Sequence, residues 1–241
     1  MLTNEETKEK RGITSETNRP VISFLNPENT FTVSKFQTGC GIVDIMMHTL
    51  ERYLTPEGGE SDLTDRIAEG LLIATRDAGR RAIADPRDYE ARATLMWAGS
   101  VSHNDYTGCG RKRLFPVHKL EHELSAFRDE IAHGAGLSVL FPAWAEHEMQ
   151  YDYPRFAQFA NRVLGVEMDF EHPERTAREG IRTLRRFFEE IGMPTHLSQL
   201  SIKPENYEKL AANTVRTVNG PVKSYSPLDE KAIIEIYRLA E

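Results

Sequence analysis

The sequence of 241 residues has little cysteine and no long apolar segment. Its two cysteines, Cys40 and Cys109, are too few for a disulfide framework, and neither stands in a Cys-x-x-Cys pair that would indicate a zinc finger or a redox dithiol. They predict reduced thiols in a cytoplasmic protein. No apolar run approaches the roughly 18 residues that a membrane-spanning helix requires. The polar start MLTNEETKEKRG lacks the pattern of a signal peptide, so we expect none.

Basic residues are also fewer than acidic ones. The sequence has 30 lysines and arginines against 37 aspartates and glutamates, which gives a net charge of −7. A chain this acidic has no electrostatic reason to bind nucleic acid or an anionic membrane. The one basic run, residues 110–113, is expected to be a solvated loop. A hydrophobic content of 39% and a charged content of 28% are typical of a folded globular protein.

Strand-favouring sequence is confined to residues 20–33, PVISFLNPENTFTV, where we expect one or two short strands. From Thr38 onward the apolar residues recur every three or four positions, which predicts helices. About nine helices are predicted, at residues 38–53, 62–83, 88–102, 117–129, 134–148, 153–164, 173–191, 204–217 and 227–240. The chain therefore divides into an all-α domain, 38–241, and a segment, 1–37, that resembles the end of another domain because its strands have no partners.

Helical spacing places candidate metal ligands on two helices. Asp44 and His48 stand four residues apart within the apolar run GIVDIMMHTL, and His118 and His122 stand four apart in VHKLEHEL. Residues four apart lie on one helix face, and a carboxylate is costly to bury without compensation. His133 follows directly before a strongly apolar helix. Three imidazoles and a carboxylate suit a divalent transition metal, and without a thiolate the set leaves both Zn²⁺ and Fe²⁺ open.

The histidines also admit other interpretations. Pairs spaced by four arise by chance on exposed helix faces. We expect His147, His172 and His196 to be structural or solvent-exposed, and His103 either to cap its helix or to line the site. A helical metal-dependent phosphohydrolase would carry a His-Asp dipeptide, but none of the eight histidines is followed by aspartate.

Four stretches carry a family resemblance: TNEETKEKRG, FTVSKFQTGCGIVDIMMHTLERYLT, DYEARATLMWAGSVSHN and HKLEHELSAFRDEIAHGAGLSVLFPAW. They resemble the iron-containing (group III) alcohol dehydrogenases, most closely the butanol dehydrogenase-like branch. The resemblance implies an all-helical metal-binding domain of the iron-containing alcohol dehydrogenase and dehydroquinate synthase type. It also implies that residues 1–37 are a short β remnant of an α/β dinucleotide-binding domain, whose Gly-Gly-Gly-Ser turn does not occur in this sequence.

The same resemblance assigns roles to individual residues. It implies four metal ligands: Asp44, His48, His118 and His133. His122 corresponds to a histidine near the nicotinamide and the substrate, and Lys10, Thr32 and Val33 correspond to cofactor contacts. The implied activity is hydride transfer between NAD(P)(H) and a primary alcohol or aldehyde, with Fe²⁺ or Zn²⁺ polarising the oxygen. The resemblance leaves open whether the protein forms a homodimer. The alternative to an active dehydrogenase is a truncated chain that binds metal without turnover.

Overall fold

A computed structural model describes residues 2–4, 9–11, 15–56 and 61–241. Within these ranges the helices are joined by irregular segments, and the two named strands form one short antiparallel pair, β1 Leu2–Asn4 and β2 Glu9–Arg11. The helices are α1 Lys35–Tyr53, α2 Asp62–Ala84, α3 Tyr89–His103, α4 Pro116–Phe127, α5 His133–Glu148, α6 Tyr153–Leu164, α7 Pro173–Glu190, α8 Tyr207–Thr217 and α9 Glu230–Leu239. The predicted all-α class is confirmed. None of these helices combines the length and the apolar character needed to cross a membrane.

The predicted bounds of α1 to α7 differ from the observed ones by at most three residues. Helix α1 begins earlier than predicted because the Ser34 side chain caps it, accepting a hydrogen bond from the Gln37 amide at 3.2 Å. Helices α8 and α9 each begin three residues later than predicted, at Tyr207 and Glu230. Asp229 caps α9 by accepting from the Ala232 amide at 2.9 Å, so the helix begins at Glu230.

The strands expected in residues 20–33 do not form. That segment is irregular and contains one 3-10 turn, Pro27–Thr30, which the Asn26 side chain caps. Val21 is fully exposed and Phe24 is 93% exposed, so these apolar side chains contact little of the domain. β-Propensity expresses packing against a neighbouring strand or face, and the described part of the chain offers this segment neither.

Helix α1 lies inside the domain and packs against α2, α3 and α5. Val43, Met46, Met47 and Leu50 are completely buried, so α1 has almost no solvent face. A helix that is apolar on most sides must be surrounded by other helices. Beyond its exposed first turn, α1 also holds polar residues in this interior, among them the buried Thr49, Glu51 and Arg52.

The basic run also departs from expectation, because Arg111 is not solvated. Its side chain is 8% exposed and donates to Asp65 on α2 at 2.6 Å. Asp65 also receives two hydrogen bonds from Arg155, at 2.6 and 2.8 Å. The loop before α4 is thus fixed to α2 and α6 by a paired, largely buried charge network.

A glycine controls the contact between α6 and α7. A Cβ at Gly180 would lie 2.3 Å from the Cβ of Ala160, whereas one at Gly70 would meet nothing within 4 Å. We expect Gly180→Ala to lower the free energy of unfolding by about 1–3 kcal/mol through overpacking. The control Gly70→Ala, on α2, should raise it by about 0.5–1 kcal/mol because alanine is the better helix former. Denaturant unfolding of both variants measures this, and a Gly180→Ala protein as stable as wild type would contradict the packing argument.

Candidate metal centre

Three helices bring one carboxylate and three imidazoles together. Asp44 and His48 lie one turn apart on α1, His118 lies in the first turn of α4, and His133 is the first residue of α5. The Asp44 Oδ1 atom is 3.7 Å from His48 Nε2, 3.7 Å from His118 Nε2 and 3.5 Å from His133 Nε2. Four residues from three separate helices therefore direct their polar ends to one point.

These separations suit a shared cation better than hydrogen bonds. They exceed the roughly 2.7–3.2 Å of a good hydrogen bond. Four donors held about 2.1 Å from one tetrahedral ion would stand about 3.4 Å apart, close to the three distances observed from Asp44 Oδ1. Asp44 Oδ1 and His118 Nε2 are buried and have no hydrogen-bond partner in the described part of the chain. Because buried polar atoms rarely remain unpaired, the residues present fit a divalent metal ion.

Two buried glutamates orient the histidines from behind. Glu51 accepts from His118 Nδ1 and, at 2.6 Å, from the Val117 amide, and Glu121 accepts from His133 Nδ1. A carboxylate on Nδ1 fixes the proton there and leaves the Nε2 lone pair directed toward the centre. Neither glutamate was predicted from the sequence. Their helical spacing, three residues after His48 and three after His118, was the signal that could have found them.

A close helix contact places His133 beside α1. A Cβ at Gly134 would lie 2.3 Å from the Cys40 carbonyl oxygen and 2.6 Å from the Cys40 Cα, so only glycine allows this approach of α5 to α1. Asp44 lies one turn after Cys40 on the same helix. The glycine next to His133 thus sets the distance between the third imidazole and the carboxylate.

Burial and neighbouring charges set the protonation of the centre. Burial alone would raise the pKa of Asp44, but the His103 and His118 imidazoles outweigh it and hold that pKa well below its ordinary value. Burial, together with the charge of His118, lowers the pKa of His48 to about 2. Burial also acts to lower the pKa of His118, but the carboxylates of Glu51 and Asp44 raise it to about 9. At neutral pH Asp44 is ionised, His48 is neutral, and His118 holds a proton that a cation would have to displace.

His118 and His122 lie one turn apart on α4 but contact different neighbours. His118 faces Asp44, whereas the His122 ring stacks on His133, with centroids 5.4 Å apart, and lies 6.3 Å from the His118 ring. Polar atoms of Glu121, His122 and His133 come within 4.8 Å of one another and form a second potential ligand group. Asp44, His48 and His118 form the first such group, and His133 lies between the two, with its Nδ1 facing Glu121 and its Nε2 3.5 Å from Asp44 Oδ1.

The structure bears less directly on the three expected cofactor contacts. Lys10 falls in β2, and its side chain lies outside the described part of the chain. Thr32 is exposed in a turn. Val33 lines a pocket of about 250 Å³ together with Ile45 and Met96. Ile45 follows Asp44 on α1, so this pocket and the metal centre share a helix.

Two further residues border the centre. His103, expected either to cap its helix or to line the site, has Nε2 3.6 Å from Asp44 Oδ2. Phe115 packs edge-on against His48 and His118, with ring centroids 5.4 and 5.1 Å away, and holds a left-handed backbone at φ 51°. Such a conformation for a bulky residue costs about 1–3 kcal/mol and tends to occur at functional sites.

The remaining three histidines lie elsewhere. His147, His172 and His196 contact Glu148, Glu174 and Thr195, respectively. The expectation that they are structural or exposed is confirmed.

Known proteins resemble this chain in sequence and in the arrangement of helices. The model of the Fe-containing alcohol dehydrogenase family, C-terminal, matches residues 38–240. NADH-dependent butanol dehydrogenase A of Clostridium acetobutylicum is 37% identical over 99% of this chain, which spans 61% of that protein. NADPH-dependent aldehyde reductase YqhD of Escherichia coli is 31% identical over 84% of this chain and 51% of its own length.

A solved structure agrees with the sequence matches. The crystal structure of NADH-dependent butanol dehydrogenase A from Thermotoga maritima superimposes with a TM-score of 0.92 at 33% identity, covering 99% of this chain and 61% of that one. The family match begins in the first turn of α1 and extends to residue 240, so it includes all four residues that converge on the centre. This chain belongs to the Fe-containing alcohol dehydrogenase family.

Proposed function

We propose that this chain is the metal-holding part of an NAD(P)-dependent alcohol dehydrogenase or aldehyde reductase of the butanol dehydrogenase type. The observation that carries the proposal is the set of three imidazole nitrogens 3.5–3.7 Å from one oxygen of Asp44. The relatives from Clostridium acetobutylicum and Escherichia coli are NADH- or NADPH-dependent enzymes of this kind, and the chain spans about three-fifths of the butanol dehydrogenase. The substrates are small primary alcohols and the corresponding aldehydes.

The proposed metal ligands are Asp44, His48, His118 and His133. One carboxylate and three neutral imidazoles balance a divalent cation only in part, which leaves it a strong Lewis acid. The ion is Fe²⁺ or Zn²⁺, because both accept nitrogen and oxygen donors in this number.

We assign residues 38–241 to the helical metal-binding domain and residues 1–37 to the end of an α/β dinucleotide-binding domain. The start of the family match at residue 38 supports this division. Lys10, Thr32 and Val33 are the proposed contacts to NAD(P)(H), and the position of Val33 on the pocket beside Ile45 supports its assignment. The free thiols of Cys40 and Cys109 support a cytoplasmic location. A homodimer is the proposed assembly.

When bound, the cation polarises the substrate oxygen and the nicotinamide exchanges the hydride. The residues of this chain supply orientation and proton transfer. Glu51 and Glu121 hold His118 and His133 with their Nε2 atoms toward the centre. His122, stacked on His133, accepts the hydroxyl proton of the alcohol and returns it during aldehyde reduction.

A second candidate is a metal-binding chain that does not turn over by itself. It is supported by the 61% share of the butanol dehydrogenase that the chain spans. Titration of NADH and NADPH against the purified chain separates the two candidates. Saturable binding with aldehyde-dependent oxidation supports the enzyme, and a metal-loaded chain that binds neither nucleotide supports the second candidate.

The two histidines of α4 should differ when replaced. We expect His118→Ala to lose the metal during purification, because it removes a ligand. We expect His122→Ala to retain the metal but to reduce butanal about 100-fold more slowly or worse, the usual effect of removing a general acid. Metal content by mass spectrometry and NADH oxidation measure both effects. A metal-loaded, active His118→Ala protein would refute the ligand assignment.

Loss of the carboxylate behind His118 should weaken metal binding without removing a ligand. We expect Glu51→Gln to lower the metal affinity about 10- to 100-fold, since an amide of the same size no longer holds the imidazole by a charged hydrogen bond. Glu123→Gln is the matched control, because Glu123 is a buried carboxylate on α4 that accepts from Thr217 at 2.9 Å. Competition with a chromophoric chelator gives both affinities. Equal affinities in the two variants would show that Glu51 does not support the centre.

Metal uptake should release a proton near neutral pH. His118, with its pKa raised to about 9, is protonated below that pH and must become neutral to bind a cation. His48, with its pKa near 2, and ionised Asp44 release none. Affinity should therefore rise by about tenfold per pH unit between pH 6 and 8 on account of His118. Calorimetry in two buffers of different ionisation enthalpy counts the proton, and pH-independent affinity over this range would contradict the assignment.

A further inference from the structure

A fourth imidazole lies near the other oxygen of the Asp44 carboxylate. His103, the last residue of α3, places Nε2 3.6 Å from Asp44 Oδ2, whereas the other three histidines face Oδ1. Its ring lies against that of His48, with centroids 3.8 Å apart. Both oxygens of Asp44 are therefore flanked by imidazole nitrogen.

The other nitrogen of His103 determines what Nε2 can offer. Nδ1 lies 2.9 Å from the Gly99 carbonyl oxygen and 2.8 Å from the Ser102 hydroxyl oxygen. A carbonyl oxygen can only accept, so Nδ1 donates its hydrogen there, and Nε2 is the nitrogen that the ring directs at Asp44 Oδ2. The 3.6 Å between Nε2 and Oδ2 matches the distances of the other three imidazoles from Oδ1, and it suits a shared cation better than a direct hydrogen bond.

The same backbone anchor is seen behind many metal-binding histidines, where a carbonyl or a carboxylate fixes the far nitrogen. Glu51 and Glu121 play this part for His118 and His133, and the Gly99 carbonyl plays it for His103. The His103 side chain is also 43% exposed, against 8% for His118, so it lies on the side of the centre that solvent can reach.

We propose that His103 is a fifth protein donor to the metal ion, supplying an imidazole nitrogen on the solvent side of the centre. The proposal rests on the proposed function, because it requires the ion held by Asp44, His48, His118 and His133. A fifth neutral donor changes no charge at the centre, and a divalent ion such as Zn²⁺ can expand from four ligands to five. It would also compete with the substrate oxygen for the exposed side of the ion.

The test counts imidazoles on the bound metal and needs no turnover. The full chain is loaded anaerobically with Co²⁺ and compared with His103→Ala by X-ray absorption, whose multiple-scattering features report histidine ligands, and by visible absorption. Four imidazoles are expected in the wild type and three in His103→Ala. The visible band of the variant should be more intense, as expected for fewer ligands. Chelator competition should show a loss of affinity of at least about 10-fold, the lower bound for even an outer partner of a ligand.

The control is His172→Ala, which removes a half-exposed histidine that contacts Glu174 away from the centre and should leave all three readouts at wild-type values. The wild-type count is informative without any variant, so misfolding of His103→Ala would not prevent a decision. Three imidazoles in both wild type and His103→Ala would overturn the fifth donor while leaving the three-histidine centre intact. A wild-type chain that retains no Co²⁺ would overturn the proposed centre itself.

Discussion

The arrangement of the metal centre depends on how the negative charge of one carboxylate, Asp44, is balanced. Asp44 lies on a helix whose neighbouring residues Val43, Met46 and Met47 are fully buried, and its Oδ1 atom has no hydrogen-bond partner in the described chain. Removing a carboxylate from water costs several kcal/mol even after relaxation. The His103 and His118 imidazoles supply part of that compensation, but the three Nε2 atoms that lie 3.5–3.7 Å from Oδ1 are too distant to complete it by hydrogen bonds. A cation shared by all four groups supplies it, and this requirement explains why three helix segments meet here.

The geometry of those helices follows from local sequence chemistry. Ser34 starts α1, Pro116 occupies the first turn of α4, and Gly134 permits α5 to approach α1 closely. Each feature is small, yet each fixes where a ligand side chain begins. Glu51 joins two of these elements, since one of its oxygens accepts from the backbone amide at the start of α4 and the other from His118. The same carboxylate therefore supports both the helix start and the orientation of the ligand.

Much of the fold could be predicted from apolar periodicity, because helices such as α6 carry their boundary signals in adjacent residues. Residues 20–33 could not, since β-branched and aromatic side chains form strands only where a partner exists. The site was predictable to the level of spacing: Asp44 with His48, and His118 with its helix neighbour. Spacing alone could not separate His118 from His122, because which of two residues on one face points to α1 depends on the crossing of helices.

The residues that the sequence marks only weakly share a physical reason. A glutamate three residues after a histidine has the pattern of an ordinary helix surface charge, and only burial shows that Glu51 and Glu121 act on imidazoles. His103 lies at a helix end, where a histidine is equally suited to capping. Metal sites in helical proteins are specified less by their ligands than by what holds the ligands, since a ligand free to rotate binds weakly. The outer hydrogen bonds therefore carry as much of the specification as the four converging side chains, although they leave a weaker mark in the sequence.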